Sequence, residues 1–375
     1  MLQNKIYQNF TIEILKTFLV ILFGLSIIAW TVRAVNFLDL IVESGYSVPI
    51  YFQYSILNIL SILPKLIPLS FLIALTIFIS KQIQENEFII LWTSGVKKLK
   101  VINLFFIISI IILFFYLLFS TFLTPLALNK SRHLLSKDGF NSFLPTIRIQ
   151  QFSDSFTGFT FLVEDKVDNE IKNIFIHDSS NILKNITSDQ TKKNSTTIVA
   201  KEGIVEEKRM ILFNGEILTS KDEPSKNDII KFKQLNVDLK NLETDTIKVP
   251  KLQEQTSIAL IKCLMMPDDE ETEFCPNSAK EEITTVINRR FVLPFYIPIV
   301  SLLCSFLLIN SKNKSILINK NSIFIYSFIV LVYSELIIRY TGVSKILSLL
   351  FVISPFILIP LFYFFLMFKL SKESI

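Results

Sequence analysis

Apolar and polar positions along this chain fall into two regimes. Runs of Ile, Leu, Phe and Val with hardly a charge occupy residues 12–32, 50–80, 101–124, 291–309, 323–338 and 346–368. Most of them exceed the ~18 residues that a bilayer span requires. Between the third run and the fourth the pattern changes to short alternating segments, among them Thr160-Phe161-Leu162-Val163-Glu164, Ile174-Phe175-Ile176, Thr197-Ile198-Val199-Ala200 and Arg209-Met210-Ile211-Leu212-Phe213. Thr146 to Gln150 reads the same way, and in Leu235 to Lys240 the period of two is strict, as in a half-buried strand. The expectation is an α-helical membrane protein with six transmembrane helices plus an antiparallel β domain, a sandwich or jelly roll, inserted between helices 3 and 4. Its parts are residues 1–124, 125–285 with a return linker, and 286–375.

Punctuation sharpens the picture. Pro125 is expected to end the third span, and Asn214-Gly215 and Asp138-Gly139 have the composition of tight turns. The segment 179–195, rich in Asn, Lys, Thr and Ser, reads as a long loop, and the sequon at Asn185 carries no weight. The first span is too long for a cleaved signal and has no small-x-small cleavage site, so it is expected to be retained.

The second run carries Leu63-Pro64-Lys65-Leu66-Ile67-Pro68. Some thirty helical residues reach about 45 Å, more than the hydrocarbon core, so this helix must tilt or project. A lysine at a span's centre costs about 2.5 to 3.5 kcal/mol, and each proline frees a carbonyl that needs another partner. Two readings stay open for Lys65: it lines a cavity and meets an anionic substrate, or it snorkels to the interface. Arg33, closing the first span, has the same two readings.

Between the second and third runs lies Lys81 to Lys100, KQIQENEFIILWTSGVKKLK. As a helix over 81–96 it groups Phe88, Leu91, Trp92 and Gly95 on one face, with Glu87 beside them and Gly95 as a left-handed cap. Such a segment can dock into a groove on another protein or lie flat at the lipid interface.

Composition agrees with the membrane class. Half the residues are apolar and 35 are Phe. A net charge of +5 could point to nucleic acid, but the lysines sit in short segments flanking the spans, so no nucleic-acid partner is implied. Lys5, Lys81, Lys97, Lys98, Lys100, Lys312, Lys314, Lys320, Lys369 and Lys372 fall on one side, against Arg33, Arg339 and Lys345 on the other. By the positive-inside rule both termini are expected in the cytoplasm and the β domain in a periplasm-like space.

Reactive chemistry is sparse. Two histidines and three cysteines leave no plausible metal site, and for Cys263 and Cys275 a local disulfide and a free pair both stay open. Phosphate-loop, zinc-protease, nucleophile-elbow and dinucleotide motifs are absent. His177-Asp178 has no nucleophile partner, and Asp268 to Glu271 reads as a solvated acidic loop. The chain is expected not to be an enzyme and to need no cofactor.

The layout resembles the LptF/LptG family of lipopolysaccharide export permeases over nearly its whole length. The resemblance is carried by FLDLIVESGYS after the first span, NEFIILWTSGV in the polar helix, RRFVLPFYIP opening the fourth span, and Ala200, Gly203 and Leu212-Phe213-Asn214-Gly215 in the β domain. The first-span region is closer to LptF. It implies a Gram-negative inner-membrane subunit with a periplasmic β-jellyroll, paired with a second permease of the family and driven by a separate cytoplasmic ABC ATPase dimer that binds the ATP. It further implies that lipopolysaccharide passes to a periplasmic jellyroll bridge protein. Glu87, Phe88, Leu91, Trp92 and Gly95 would then belong to the helix that couples to the ATPase, and Arg33 and Lys65 fit basic positions that meet the substrate's phosphates or acidic sugars. Phe161, Val163, Ile176 and Leu212 could shield acyl chains from water. The segment between Cys263 and Cys275 departs from the family pattern. Rival readings are a permease for another lipid or for lipoproteins, and a non-transporting scaffold or sensor.

Overall fold

The computed structural model describes residues 2–42, 46–138, 149–156, 158–167, 169–179, 195–206, 209–220, 228–238, 251–265, 279–309 and 320–373. Helix α1 runs Leu2–Asn36, α2 Asp39–Val42, α3 Val48–Gln84, α4 Glu87–Thr93 and α5 Lys98–Leu118. A π-helical turn, Phe119–Leu123, leads into α6, Thr124–Asp138. Six strands follow, β1 Ser153–Phe156, β2 Phe159–Val167, β3 Glu170–Asp178, β4 Ser195–Glu206, β5 Arg209–Ser220 and β6 Asp228–Asp238. The chain returns through α7 Ser257–Met265, α8 Lys280–Phe291, α9 Tyr296–Ser305, α10 Lys320–Ile338 and α11 Lys345–Glu373.

Two compact units result, one of residues 1–32, 57–129 and 251–375, the other of 33–56 and 130–250. Six helical stretches have the length and composition to cross a membrane: Lys5–Ile41, Val48–Gln84, Lys98–Leu135, Lys280–Leu308, Asn321–Ile338 and Lys345–Ser371. They correspond one for one to the six apolar runs.

In the first unit the second and fourth spans form the interior, 72% buried along their most apolar windows. Ile67, Phe71, Leu72 and Leu75 on α3 and Ile297, Ile299, Val300 and Leu302 on α9 are wholly inaccessible to solvent. The first, fifth and sixth spans bury only 22%, 22% and 17%, so each keeps a broad apolar face turned outward.

Pro125 does not end the third span. A proline lacks the N–H that would bond the carbonyl four residues earlier, here that of Thr121. The π turn at Phe119–Leu123 shifts the ladder, and the Ser257 hydroxyl donates to the Thr121 carbonyl at 3.5 Å, so the helix continues.

In the second unit the strands pair antiparallel in sequence order, β1 to β6. The described strands therefore form a meander, where a jelly roll would carry strands across in Greek-key order. Phe161, Val163, Ile176 and Leu212 all lie on the buried face, as their alternation predicts. A crease crosses this sheet. Buried positions switch parity from Ile171 to Ile174 on β3, from Ala200 to Gly203 on β4 and from Leu212 to Ile217 on β5. Asn173 and Asn214, at φ 48 and 52, adopt the left-handed conformation there and drop out of the ladders. Asn214-Gly215 is therefore not a hairpin turn: it lies inside β5, where a Cβ on Gly215 would sit 2.3 Å from the Val199 carbonyl oxygen. Small residues let the two halves close over one apolar cluster.

At this unit's other elements, the Tyr51 hydroxyl donates to the Ala34 carbonyl at 2.9 Å and Phe37 meets Tyr54 edge to face. Of the strand expected over 146–150, Ile149 makes an isolated bridge to Val163 and 146–148 lie outside the described residues. Gly139, Asn185, Asp268 to Glu271 and Cys275 also lie outside them. Cys263 is buried and disulfide-bonded, and Cys304 is a buried free thiol.

Candidate functional site

The prolines of α3 build the first site. Pro64 cannot donate to the carbonyl of Leu60, and the Thr124 hydroxyl fills the gap at 2.7 Å. One side-chain bond thus ties the kinked second span to the first turn of α6. Around that junction is a small cavity, about 60 Å³, lined by Ser61, Pro64 and Lys65 from α3, Ser120 and Thr124 from the third span, and Gln253, Val286, Arg289 and Arg290 from the return segment and α8.

Three cations therefore border one cavity, and the two arginines have structural partners. Arg290 is 5% exposed and donates to the carbonyls of Gln253 and Gln255, both at 3.0 Å, and to the Ser257 hydroxyl at 2.9 Å. It pins the return segment onto the fourth span. Arg289 pairs with Glu335 on α10 at 3.3 Å, while its own carbonyl accepts the Tyr116 hydroxyl at 3.1 Å. Lys65 is exposed at the mouth of the same cavity. Arrayed this way, the site is electropositive and lined with hydroxyls, suited to an anionic or strongly polar group.

Arg289 and Arg290 were visible as the pair opening the fourth span, but nothing in the local sequence couples them to Lys65. That coupling arises from the π turn and the proline kink. Arg33 lies in the other unit, at the end of α1, and does not belong to this cavity's lining.

The second site is α4. Left-handed residues flank it, Asn86 at φ 58 and Gly95 at φ 84, so it breaks sharply from α3 and from α5. Gly95 thus holds the left-handed position expected of it. Phe88 and Leu91 are buried, at 4% and 8% exposure, and Phe88 sits edge-on to Phe10 of α1 and stacks on Trp92 at 5.6 Å. These side chains anchor the helix to its own spans. The surface left for others is different: Ile89 and Ile90 are 58% and 65% exposed. The three-and-four spacing identified an apolar face correctly, yet that face packs inward. The outward isoleucines are adjacent in sequence, and no periodicity singles them out.

Beside α4 lies a groove of about 470 Å³ lined by Lys5, Asn9 and Phe10 of α1 and by Glu87, Ile90 and Leu91. On the same side of the bundle Lys81 bonds Glu13 at 2.7 Å, fastening α3 to α1. His177 is engaged by the Thr197 hydroxyl at 2.9 Å.

No curated protein matches the chain. The family model described as lipopolysaccharide export system permease LptF/LptG matches residues 10–369, which takes in nearly all of the six spans, the whole sheet, the Lys65 cavity and α4. The chain accordingly belongs to the LptF/LptG family and is a multi-pass inner-membrane permease of lipopolysaccharide export.

Proposed function

We propose that this chain is one of two permease subunits of an ABC transporter that lifts lipopolysaccharide out of the inner membrane and hands it, through the β domain, to a periplasmic bridge protein leading to the outer membrane. Its partner is a second permease of the family, and the chain is the LptF-like member. The outward apolar faces of the first, fifth and sixth spans support such pairing. Both termini and α4 are cytoplasmic, the β domain is periplasmic, and ATP is hydrolysed in a separate cytoplasmic ATPase dimer rather than on this chain. The six spans form the membrane part, and the chain between the third and the fourth forms the periplasmic domain with its return linker.

The observation that carries this reading is the construction of α4. A helix of seven residues is too short to be stable alone. Here Phe88 and Leu91 fasten it to the spans while Ile89 and Ile90 are left exposed, and the half-buried Glu87 lines a groove with a lysine and an asparagine on its rim. A push on that surface is transmitted to α1 and α3 through Phe10 and Phe78, which meet at 5.2 Å. Glu87, Phe88, Leu91, Trp92 and Gly95 thus form one coupling element, in which Phe88 and Leu91 transmit while Glu87, with Ile89 and Ile90, makes contact. Lys65 and Arg33 are the cations that meet the substrate's phosphates or acidic sugars, and the buried face of the sheet receives its acyl chains.

Affinity purification of the tagged full chain from its native membrane tests the proposal. An ABC-type ATPase and a second six-span permease should co-elute with the wild type. Glu87→Lys and Ile90→Asp should each lose the ATPase while keeping the permease. Elution of the wild-type chain alone would remove the transporter's engine and favour a scaffold.

A further inference from the structure

A second groove, of about 840 Å³, lies on the membrane part, between the start of the fourth span and the start of the sixth. The fourth span begins at Lys280, after the return segment and α7, and the turn joining the fifth and sixth spans falls at the same end. The groove's rim is cationic: Lys280 opens α8 and Lys345 opens α11, while Thr341, in the turn between α10 and α11, is buried and donates to the Ile338 carbonyl at 2.8 Å. Its floor is apolar, formed by Leu349, Val352 and Ile353 of α11.

The gradient follows the membrane. From Lys345 to Ile353 the helix rises about 12 Å, enough to pass from a headgroup layer about 5 to 8 Å thick into hydrocarbon. Leu349 and its neighbour Leu350 are 62% and 57% exposed, so the groove opens sideways to lipid. Its walls are set in advance. The Asn288 amide donates to the Ser348 hydroxyl at 3.1 Å, and Gly342 packs so closely on α8 that a Cβ there would lie 2.2 Å from the Glu281 carbonyl oxygen. Glu281 also lines the rim, and the two lysines outnumber it.

We infer that this groove holds an anionic glycerophospholipid, its phosphate between Lys280 and Lys345 and its upper acyl carbons along Leu349, Val352 and Ile353. Lysines at the interface favour anionic headgroups electrostatically. The floor is a strip one helix face wide, which suits the two chains of a phospholipid better than a many-chained glycolipid. The site lies apart from the Lys65 cavity, sharing none of its lining residues, and the inference does not depend on what the permease transports.

Native mass spectrometry of the delipidated full chain, purified with its membrane partners and titrated with phosphatidylglycerol, phosphatidylethanolamine or inorganic phosphate, tests it. Phosphatidylglycerol adducts should be retained at least several-fold over phosphatidylethanolamine, and inorganic phosphate should not displace them. The excess should vanish in Lys280→Gln/Lys345→Gln and persist in Lys280→Arg/Lys345→Arg, whose thermal melting controls for folding. Val352→Trp should lower adducts of both lipids by filling the floor. Equal retention of the two phospholipids, or an unchanged preference in the glutamine variant, overturns the inference. Retention of lipopolysaccharide instead of phosphatidylglycerol, lost in that variant, would overturn the choice of occupant.

Discussion

Thr124→Val changes a hydroxyl for a methyl of nearly equal size, so its effect isolates one hydrogen bond. The Thr124 hydroxyl stands 2.7 Å from the Leu60 carbonyl, whose helical partner is removed by Pro64. Hydrogen bonds between helices in membranes average about 0.6 kcal/mol and reach about 1.7, because an unfolded span usually finds substitutes. Here the acceptor has no N–H in its own helix to fall back on, which places the loss near the top of that range, about 1.5 kcal/mol, or roughly tenfold in the unfolding equilibrium. Pro64→Ala supplies the missing N–H. In that background Thr124→Val should cost only a few tenths of a kcal/mol, giving a coupling energy of about 1 kcal/mol. Equilibrium unfolding in mixed micelles with increasing dodecyl sulfate, followed by tryptophan fluorescence, measures all four corners of the cycle. Equal costs of Thr124→Val with and without Pro64 would refute the proposition that the hydroxyl stands in for a helical donor.

Two further substitutions separate anchoring from contact. Phe88→Ala empties a buried site against Phe10 and Trp92 and should cost about 3 to 5 kcal/mol, whereas Ile90→Ala, being mostly exposed, should stay within about 0.5; thermal melting of the purified chain ranks them, and the reverse order would move the contact face back to Phe88. Arg290→Met removes the donors to Gln253, Gln255 and Ser257, so limited trypsin digestion should cut after Lys251 several-fold faster than in the wild type. Unchanged digestion would mean that the return segment is held by something other than the guanidinium.

Each span was legible because burial in lipid demands an uninterrupted apolar run, and the strands because a half-buried sheet demands alternation. What escaped reading depended on contacts distant in sequence. Pro125 is a sound stop signal locally, and the π turn before it together with the hydroxyl of Ser257, far along the chain, lets the helix pass it. Asn214-Gly215 is the strongest short hairpin signal there is, yet the same tolerance for left-handed backbone serves a crease in mid-strand. For α4 the apolar face was found, but which of two neighbours it packs against, its own spans or a partner, is not written in periodicity. The basic cavity was half legible: Lys65 by its cost in a span, Arg289 and Arg290 only as a motif.

The neighbour-to-neighbour order of the six strands bears on how the protein is made. Every ladder is completed by the strand synthesised just before, as in topologies of low contact order, and chains acquire structure from the N-terminus while they are being made. The sheet therefore needs no hydrogen-bonding partner from the last three spans and can close while the ribosome is still adding them. When Arg290 emerges it meets a return segment whose upstream domain is already folded, and the second half of the bundle assembles after the sheet is complete.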